Sequence, residues 1–157
     1  MKTWLHSLYY AIAAAISFGL IATTTNFAFA GEEGTAAEAK AMLKRAVAAL
    51  KRDESAALNA FTNGTNGFKD RDLYVFCSGP DGMMTAHGAN ATLIGKYFCG
   101  FKDKAGKPFG QEMCTEASEQ IKIVDYMWPR PGESEPTQKA SYYTKVGGQI
   151  CGVGFYK

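Results

Sequence analysis

From Thr35 to about Lys51, the residues Met42, Leu43, Ala46, Val47 and Leu50 recur at helical intervals, while Lys40, Lys44, Arg45, Lys51 and Arg52 take the other side. This spacing predicts an amphipathic helix with one buried face. Glu32, Glu33, Glu38, Asp53 and Glu54 dilute the basic side, which reads as a solvated face rather than a membrane-binding one. A shorter helix, Ser55 to Phe61, is predicted before the turn-rich run Asn63-Gly64-Thr65-Asn66-Gly67. Then the period changes. Leu73-Tyr74-Val75-Phe76-Cys77 is a β-prone run closed by Ser78-Gly79-Pro80-Asp81-Gly82, and Met83 to His87 resumes beyond it, which predicts a hairpin. Residues 88 to 120 are small and polar around Gly95, Gly100, Gly106 and Gly110, with one helix predicted from about Gln111 to Glu119. Three strands complete the chain: Ile121 to Trp128, Lys139 to Val146 after a loop from Pro129 to Thr137, and Gln149 to Tyr156 after Gly147-Gly148. A helix first, then five strands with a helical insertion, is an α+β pattern, and the expected architecture is one antiparallel sheet with the long helix packed on one face.

Residues 1 to 30 hold no acid and run from Lys2 through the apolar stretch Leu8 to Ala22 into Thr23-Thr24-Thr25-Asn26, then Ala28-Phe29-Ala30. A positive start, a short apolar core and a small-x-small close make a secretory signal peptide, with cleavage expected after Ala30. An uncleaved membrane anchor is the competing reading, but the apolar core falls short of the roughly 20 residues a spanning helix needs. Residues 31–157 are then one domain, expected in the periplasm or secreted.

Composition agrees with a single globular unit. The chain has 157 residues, 46% hydrophobic and 20% charged, with 17 basic and 15 acidic residues. That excludes disorder and collagen-like repeats, and a formal charge of +2 argues against nucleic acid as a partner. Cys77, Cys99, Cys114 and Cys151 suit an oxidising compartment, and their spacing matches no redox pair, haem attachment or zinc site. Two structural disulfides are expected, and no metal or cofactor. Spacing alone leaves three connectivities open.

Several fragments together resemble the single Cache domain family. Asp72-Leu73-Tyr74-Val75-Phe76, Asp81-Gly82, Ala86-His87-Gly88-Ala89-Asn90, Ile94-Gly95-Lys96 and Asp103-Lys104-Ala105-Gly106-Lys107-Pro108 are similar to its middle part. Val124-Asp125-Tyr126-Met127-Trp128-Pro129-Arg130-Pro131, Gln138-Lys139-Ala140-Ser141-Tyr142 and Gly152-Val153-Gly154-Phe155-Tyr156 are similar to its last three strands. The resemblance covers about residues 36 to 156. It implies a PAS-like sensor fold, a long N-terminal helix on a five-stranded antiparallel sheet in order 2-1-5-4-3, and a pocket that in many members binds a small carboxylate such as acetate, propionate or pyruvate. Most members are the outer part of receptors, kinases or cyclases. This chain stops at Lys157, so its signal is expected to pass to a separate membrane-bound receptor or kinase. Homodimerisation through the N-terminal helix is a further expectation. The implied strand order makes Cys77 and Cys151 neighbours and leaves Cys99 with Cys114.

Within that frame, alternation puts Lys122, Val124, Tyr126 and Trp128 on one face of their strand, and Lys139, Ser141, Tyr143 and Lys145 on one face of the next. Lys139 is the expected countercharge for a carboxylate, Tyr126 and Tyr143 its O–H donors, and Trp128 the wall that excludes water. His87, the histidine that remains after cleavage, adds a donor and makes binding pH-sensitive near its ordinary pKa of about 6.5. Alternation does not decide which face carries the pocket, and Lys139 also suits a solvated edge. Tyr126, Trp128 and Tyr143 also suit core packing.

The expected function is non-enzymatic: an exported module that binds a short-chain carboxylate and reports occupancy. The rival is a structural or protein-interaction domain that keeps the fold without a working pocket. A catalytic Cys-His pair needs a free thiol beside His87, which four paired cysteines do not leave. Asp103-Lys104-Ala105-Gly106-Lys107 lacks the spaced acids of a calcium loop, and Glu112, Glu116 and Glu119 read as a solvated helix side. Asn63-Gly64-Thr65 and Asn90-Ala91-Thr92 are sequons that matter only in a glycosylating host.

Overall fold

The computed structural model describes residues 33–157. The expected signal peptide and its cleavage point therefore lie outside the described residues. Helix α1 runs Ala36–Arg52 and is opened by a capping box in which the Thr35 side chain and Glu38 satisfy each other's backbone N–H groups. Its buried side is Ala39, Met42, Leu43, Ala46, Ala49 and Leu50, as the spacing predicts. One extended residue, Asp53, ends α1 and caps α2, Glu54–Asn63, by accepting from the Ala56 N–H. Gly64 stops α2 in the left-handed region, φ 65°, so the second helix is longer at both ends than its apolar pattern showed.

Six strands form one sheet: β1 Lys69–Asp70, β2 Leu73–Ser78, β3 Met84–His87, β4 Lys122–Pro129, β5 Pro136–Val146 and β6 Gln149–Tyr156. The neighbours run β1-β2-β6-β5-β4, with β3 also paired to β2. The five expected strands keep the expected order, and the two-residue β1 is an addition on the same edge as β3. β5 begins at Pro136 rather than Lys139, because Pro129 and Pro136 face each other at the open end of the pair, where a missing N–H removes nothing from the ladder.

Alternation divides the core in two. Leu73, Val75 and Cys77 on β2 and Cys151 and Val153 on β6 face the helices, where they meet Leu43, Leu50 and Phe61. Tyr74 and Phe76 on β2, with Val124, Tyr126 and Tyr143, face the other way, under a cover built from the insertion. That cover comprises two short helical turns, Ala91–Leu93 and Phe98–Gly100, and helix α3, Phe109–Glu116. The predicted helix Gln111 to Glu119 thus starts earlier and stops at Glu116, since Ala117 is extended and leaves Glu119 in the loop beyond. Glu112 and Glu116 pair at the surface with Lys107 at 3.3 Å and Lys122 at 3.8 Å.

Two disulfides tie the layers. Cys77 and Cys151 are register partners of β2 and β6, with Cα atoms 4.1 Å apart, and sit on the helix side. Cys99 is joined to Cys114, which fastens the Phe98–Gly100 turn to α3. Closing that 15-residue loop stabilises the cover by about 3 kcal/mol in the chain-entropy model.

Candidate functional site

The side of the sheet away from the long helix holds a lysine at its centre. Lys139 on β5 is 0% exposed. Its register partners are Tyr126 on β4 and Tyr156 on β6, which brackets its stem with two phenols. Room for that stem comes from Gly154, where a Cβ would lie 2.1 Å from Lys139 Cε. The Lys139 Nζ donates to the Tyr74 hydroxyl at 2.7 Å and to the Tyr156 hydroxyl at 3.4 Å. It also lies 4.1 Å from the Tyr74 ring centre and 4.8 Å from that of Tyr156. The Tyr156 hydroxyl donates its own hydrogen bond to the Pro129 carbonyl at 2.6 Å.

No carboxylate lies within ion-pairing distance of Lys139 among the described residues. Asp72 acts on it only at longer range and is already occupied: one oxygen accepts from Gly34 N–H at 2.7 Å and the other from Arg130 at 2.7 Å. Burial outweighs that pull and brings the Lys139 pKa down to about 7. When protonated, the Lys139 nitrogen has three donors, of which two meet hydroxyls, so the third would be open to an anion.

His87 on β3 closes the site from the other edge. Its Nδ1 accepts from the Asn90 N–H at 2.9 Å and the Ala89 N–H at 3.3 Å, which leaves the proton of the neutral ring on Nε2. That Nε2–H has no hydrogen-bond partner among the described residues. Burial, then the nearby Lys139, hold the His87 pKa down at about 3. The expectation of titration near 6.5 is corrected accordingly: a ring this enclosed, beside a cation, stays neutral at ordinary pH.

Tyr126 and Trp128 lie where alternation puts them. The Tyr126 hydroxyl shares a 2.9 Å bond with Ser141 Oγ, and its ring stacks on Phe109 at 4.1 Å. Trp128 stacks on Phe101 at 6.1 Å. Two hollows meet at these rings. The inner one, about 10 Å³ among Phe98, Phe109, Tyr126 and their neighbours, has room for about one water. The outer one, about 340 Å³, opens between Asn90 and Leu93 on one side and Pro129 to Glu133 on the other. Tyr74, His87 and Trp128 line both.

Tyr143 is not brought to this centre. It shares the face of Lys139 but pairs with Lys122 at the far end of the strand; neither it nor Lys139 lines either hollow, and Lys139 reaches them only through its Tyr74 partner. Four residues at about 3.3 Å each separate the two along β5. Sequence reasoning missed Tyr74 and Tyr156, the two groups that hold the Lys139 nitrogen. Tyr156 was within reach, because the two-residue Gly147-Gly148 turn sets it opposite Lys139; Tyr74 was not, because β2 is buried on both faces.

Among the described residues no three His, Cys, Asp or Glu side chains are grouped to hold a metal ion, and no helix is long and apolar enough to cross a membrane.

Antiparallel order β3-β2-β6-β5-β4 and a long N-terminal helix on one face define a PAS-like α+β domain of the kind found in Cache sensors. The chain belongs to the Single Cache domain 2 family, whose profile matches residues 21–156. It is 36% identical over 90 residues to the methyl-accepting chemotaxis protein McpP of Pseudomonas putida, a match that covers 55% of this chain and 16% of that protein. The chain therefore spans about one sixth of that curated relative's length. Among solved structures, it is similar to a periplasmic sensor domain of a chemotaxis protein, at 28% identity and TM-score 0.59, covering 74% of this chain and 86% of the other. A methyl-accepting chemotaxis protein from Vibrio parahaemolyticus shares the fold at 21% identity and TM-score 0.65, covering 76% of this chain and 86% of that one. A Cache chemosensory domain described for carboxylic acid recognition matches at 25% identity and TM-score 0.56, over 74% of this chain and 84% of its own.

Proposed function

We propose that this protein is a sensor domain outside the cytoplasm that captures a short-chain carboxylate against Lys139 and reports occupancy to a membrane-bound signalling partner. The observation that carries the reading is the enclosed Lys139 nitrogen, whose neighbours are hydroxyls and rings and whose countercharge is missing. A carboxylate supplies that charge, accepts from Lys139 and from the His87 Nε2–H, and packs its alkyl end among Trp128, Phe101 and Phe109. The outer hollow, lined like the inner one by Tyr74, His87 and Trp128, offers it a route of entry. Likeness to a domain described for carboxylic acid recognition supports the ligand class. Two disulfides and likeness to a periplasmic sensor domain support the location.

The test is a melting screen against acids of two to five carbons, amino acids and amines. An acid at 100 times its dissociation constant adds about 2.7 kcal/mol, a rise of about 10 °C for a domain of this size. A shift for acids alone supports the reading. No shift for any compound favours the interaction domain without a working pocket.

A further inference from the structure

An amine in a closed site must acquire its charge from somewhere. Resting on the carboxylate reading above, we propose that the pocket takes up its acid anion together with one proton from solvent, which settles on the Lys139 amine and converts it to the ammonium that pairs with the anion.

The geometry is that of an amine held ready but uncompensated. Around Lys139 stand Tyr74 from β2, Tyr126 and Ser141 at the β4–β5 pair, Tyr156 from β6 and His87 from β3. None of these carries negative charge at neutral pH, since burial pushes the Tyr74, Tyr126 and Tyr156 phenols further up. The acid on the loop before β2, Asp72, is bound by Arg130, which also lies 4.5 Å over the Tyr156 ring and so turns a cation towards the site. Removing a charge from water without a countercharge carries a cost that the hydroxyl and ring contacts return only in part, so above about pH 7 the free site holds mostly the neutral amine. Burial accordingly lowers Lys139 to about 7, and a bound carboxylate would restore it towards its ordinary 10.5. His87 cannot take the proton instead, because its Nδ1 already accepts two backbone N–H groups and its pKa is held down at about 3.

The test has one arm without ligand and one with it. In the free protein, the Lys139 side chain, followed by carbon-13 NMR and assigned with Lys139→Met, should titrate near pH 7. A midpoint near its ordinary 10.5 overturns the proposal whatever the acids do. Calorimetry with acetate, propionate and pyruvate, run at pH 8 in two buffers of different ionisation heat, should show uptake of about 0.9 proton per acid bound. The dissociation constant should be about tenfold weaker at pH 8 than at pH 6. Binding with no proton uptake and no pH dependence overturns this inference and leaves the carboxylate reading standing. Absence of binding by all three acids at pH 6 overturns both. Lys139→Met should melt no lower than the native protein, since a thioether replaces a buried amine of similar length, and should lose both acid binding and proton uptake.

Discussion

The two faces of the sheet are built from the same strands but obey different rules. On the helix face, Leu73, Val75, Cys77, Cys151 and Val153 meet the apolar stripe of α1, and the buried polar groups there are the uncharged Thr144 and Gln149. On the opposite face, Tyr74, Tyr126 and Tyr156 surround a lysine, and His87 lies against Tyr74 with ring centres 4.8 Å apart. Burial stabilises the first face in proportion to area, about 25 cal/mol per Å² of apolar surface. The second face buries polar groups whose cost depends on protonation and on what binds them. The stability of the first layer therefore follows area, and that of the second follows protonation as well.

The largest expected effect comes from cutting the helix face. Replacing Cys77 and Cys151 together by alanine opens a 74-residue loop, which costs about 4.5 kcal/mol in the chain-entropy model. Urea unfolding should show this loss equally at pH 5 and pH 8, since no titrating group takes part. A loss that varied with pH would break the division between the two layers.

Next in size is acid. His87 has a folded pKa of about 3 against an ordinary 6.5, so between these values the unfolded chain holds the proton and the folded one does not. Stability attributable to this group is complete above about pH 6.5 and falls as pH drops towards 3, by about 3 kcal/mol between pH 7 and pH 4. Denaturant unfolding across that range measures it, and His87→Phe should remove most of the slope. An unchanged slope in the variant would place the acid sensitivity elsewhere.

The helix face was largely legible in the sequence and the other face only in part, for a physical reason. An amphipathic helix announces its buried side through a repeat of three and four, so Met42, Leu43, Ala46 and Leu50 were placed correctly. β2 is buried on both sides and reads as an unbroken apolar run, with nothing to mark Tyr74 as facing the lysine rather than the helix. Lys139 and Tyr126 were set on one face by alternation, but Tyr143 was included because alternation fixes a face and not a distance along it. Phe98, Phe101 and Phe109 come from an insertion without period, and only the Cys99–Cys114 bond and the fold of its turns bring them over the sheet. The pH behaviour assigned to His87 was misjudged because burial and the neighbouring cation are tertiary facts that no spacing encodes.

The smallest effect asks whether the polar face is set by one glycine. A Cβ at position 154 would lie 2.1 Å from Lys139 Cε and 2.5 Å from Ser141 Oγ, so Gly154→Ala must push the lysine off its two phenols. Overpacking of this kind costs about 1–3 kcal/mol. At the neighbouring pocket-facing position of β6, Gly152→Ala meets Phe76 Cζ at 2.5 Å and the Tyr142 carbonyl at 3.0 Å, and should cost a similar amount. The two differ in what relieves them. In a Lys139→Ala background the main obstacle at position 154 is gone, so a double-mutant cycle should return a coupling of about 1–2 kcal/mol between 154 and 139, and close to none between 152 and 139. Equal coupling at both positions would mean that Gly154 serves general packing of the sheet, and that the lysine's place is fixed by its phenol partners rather than by the slot beneath its stem.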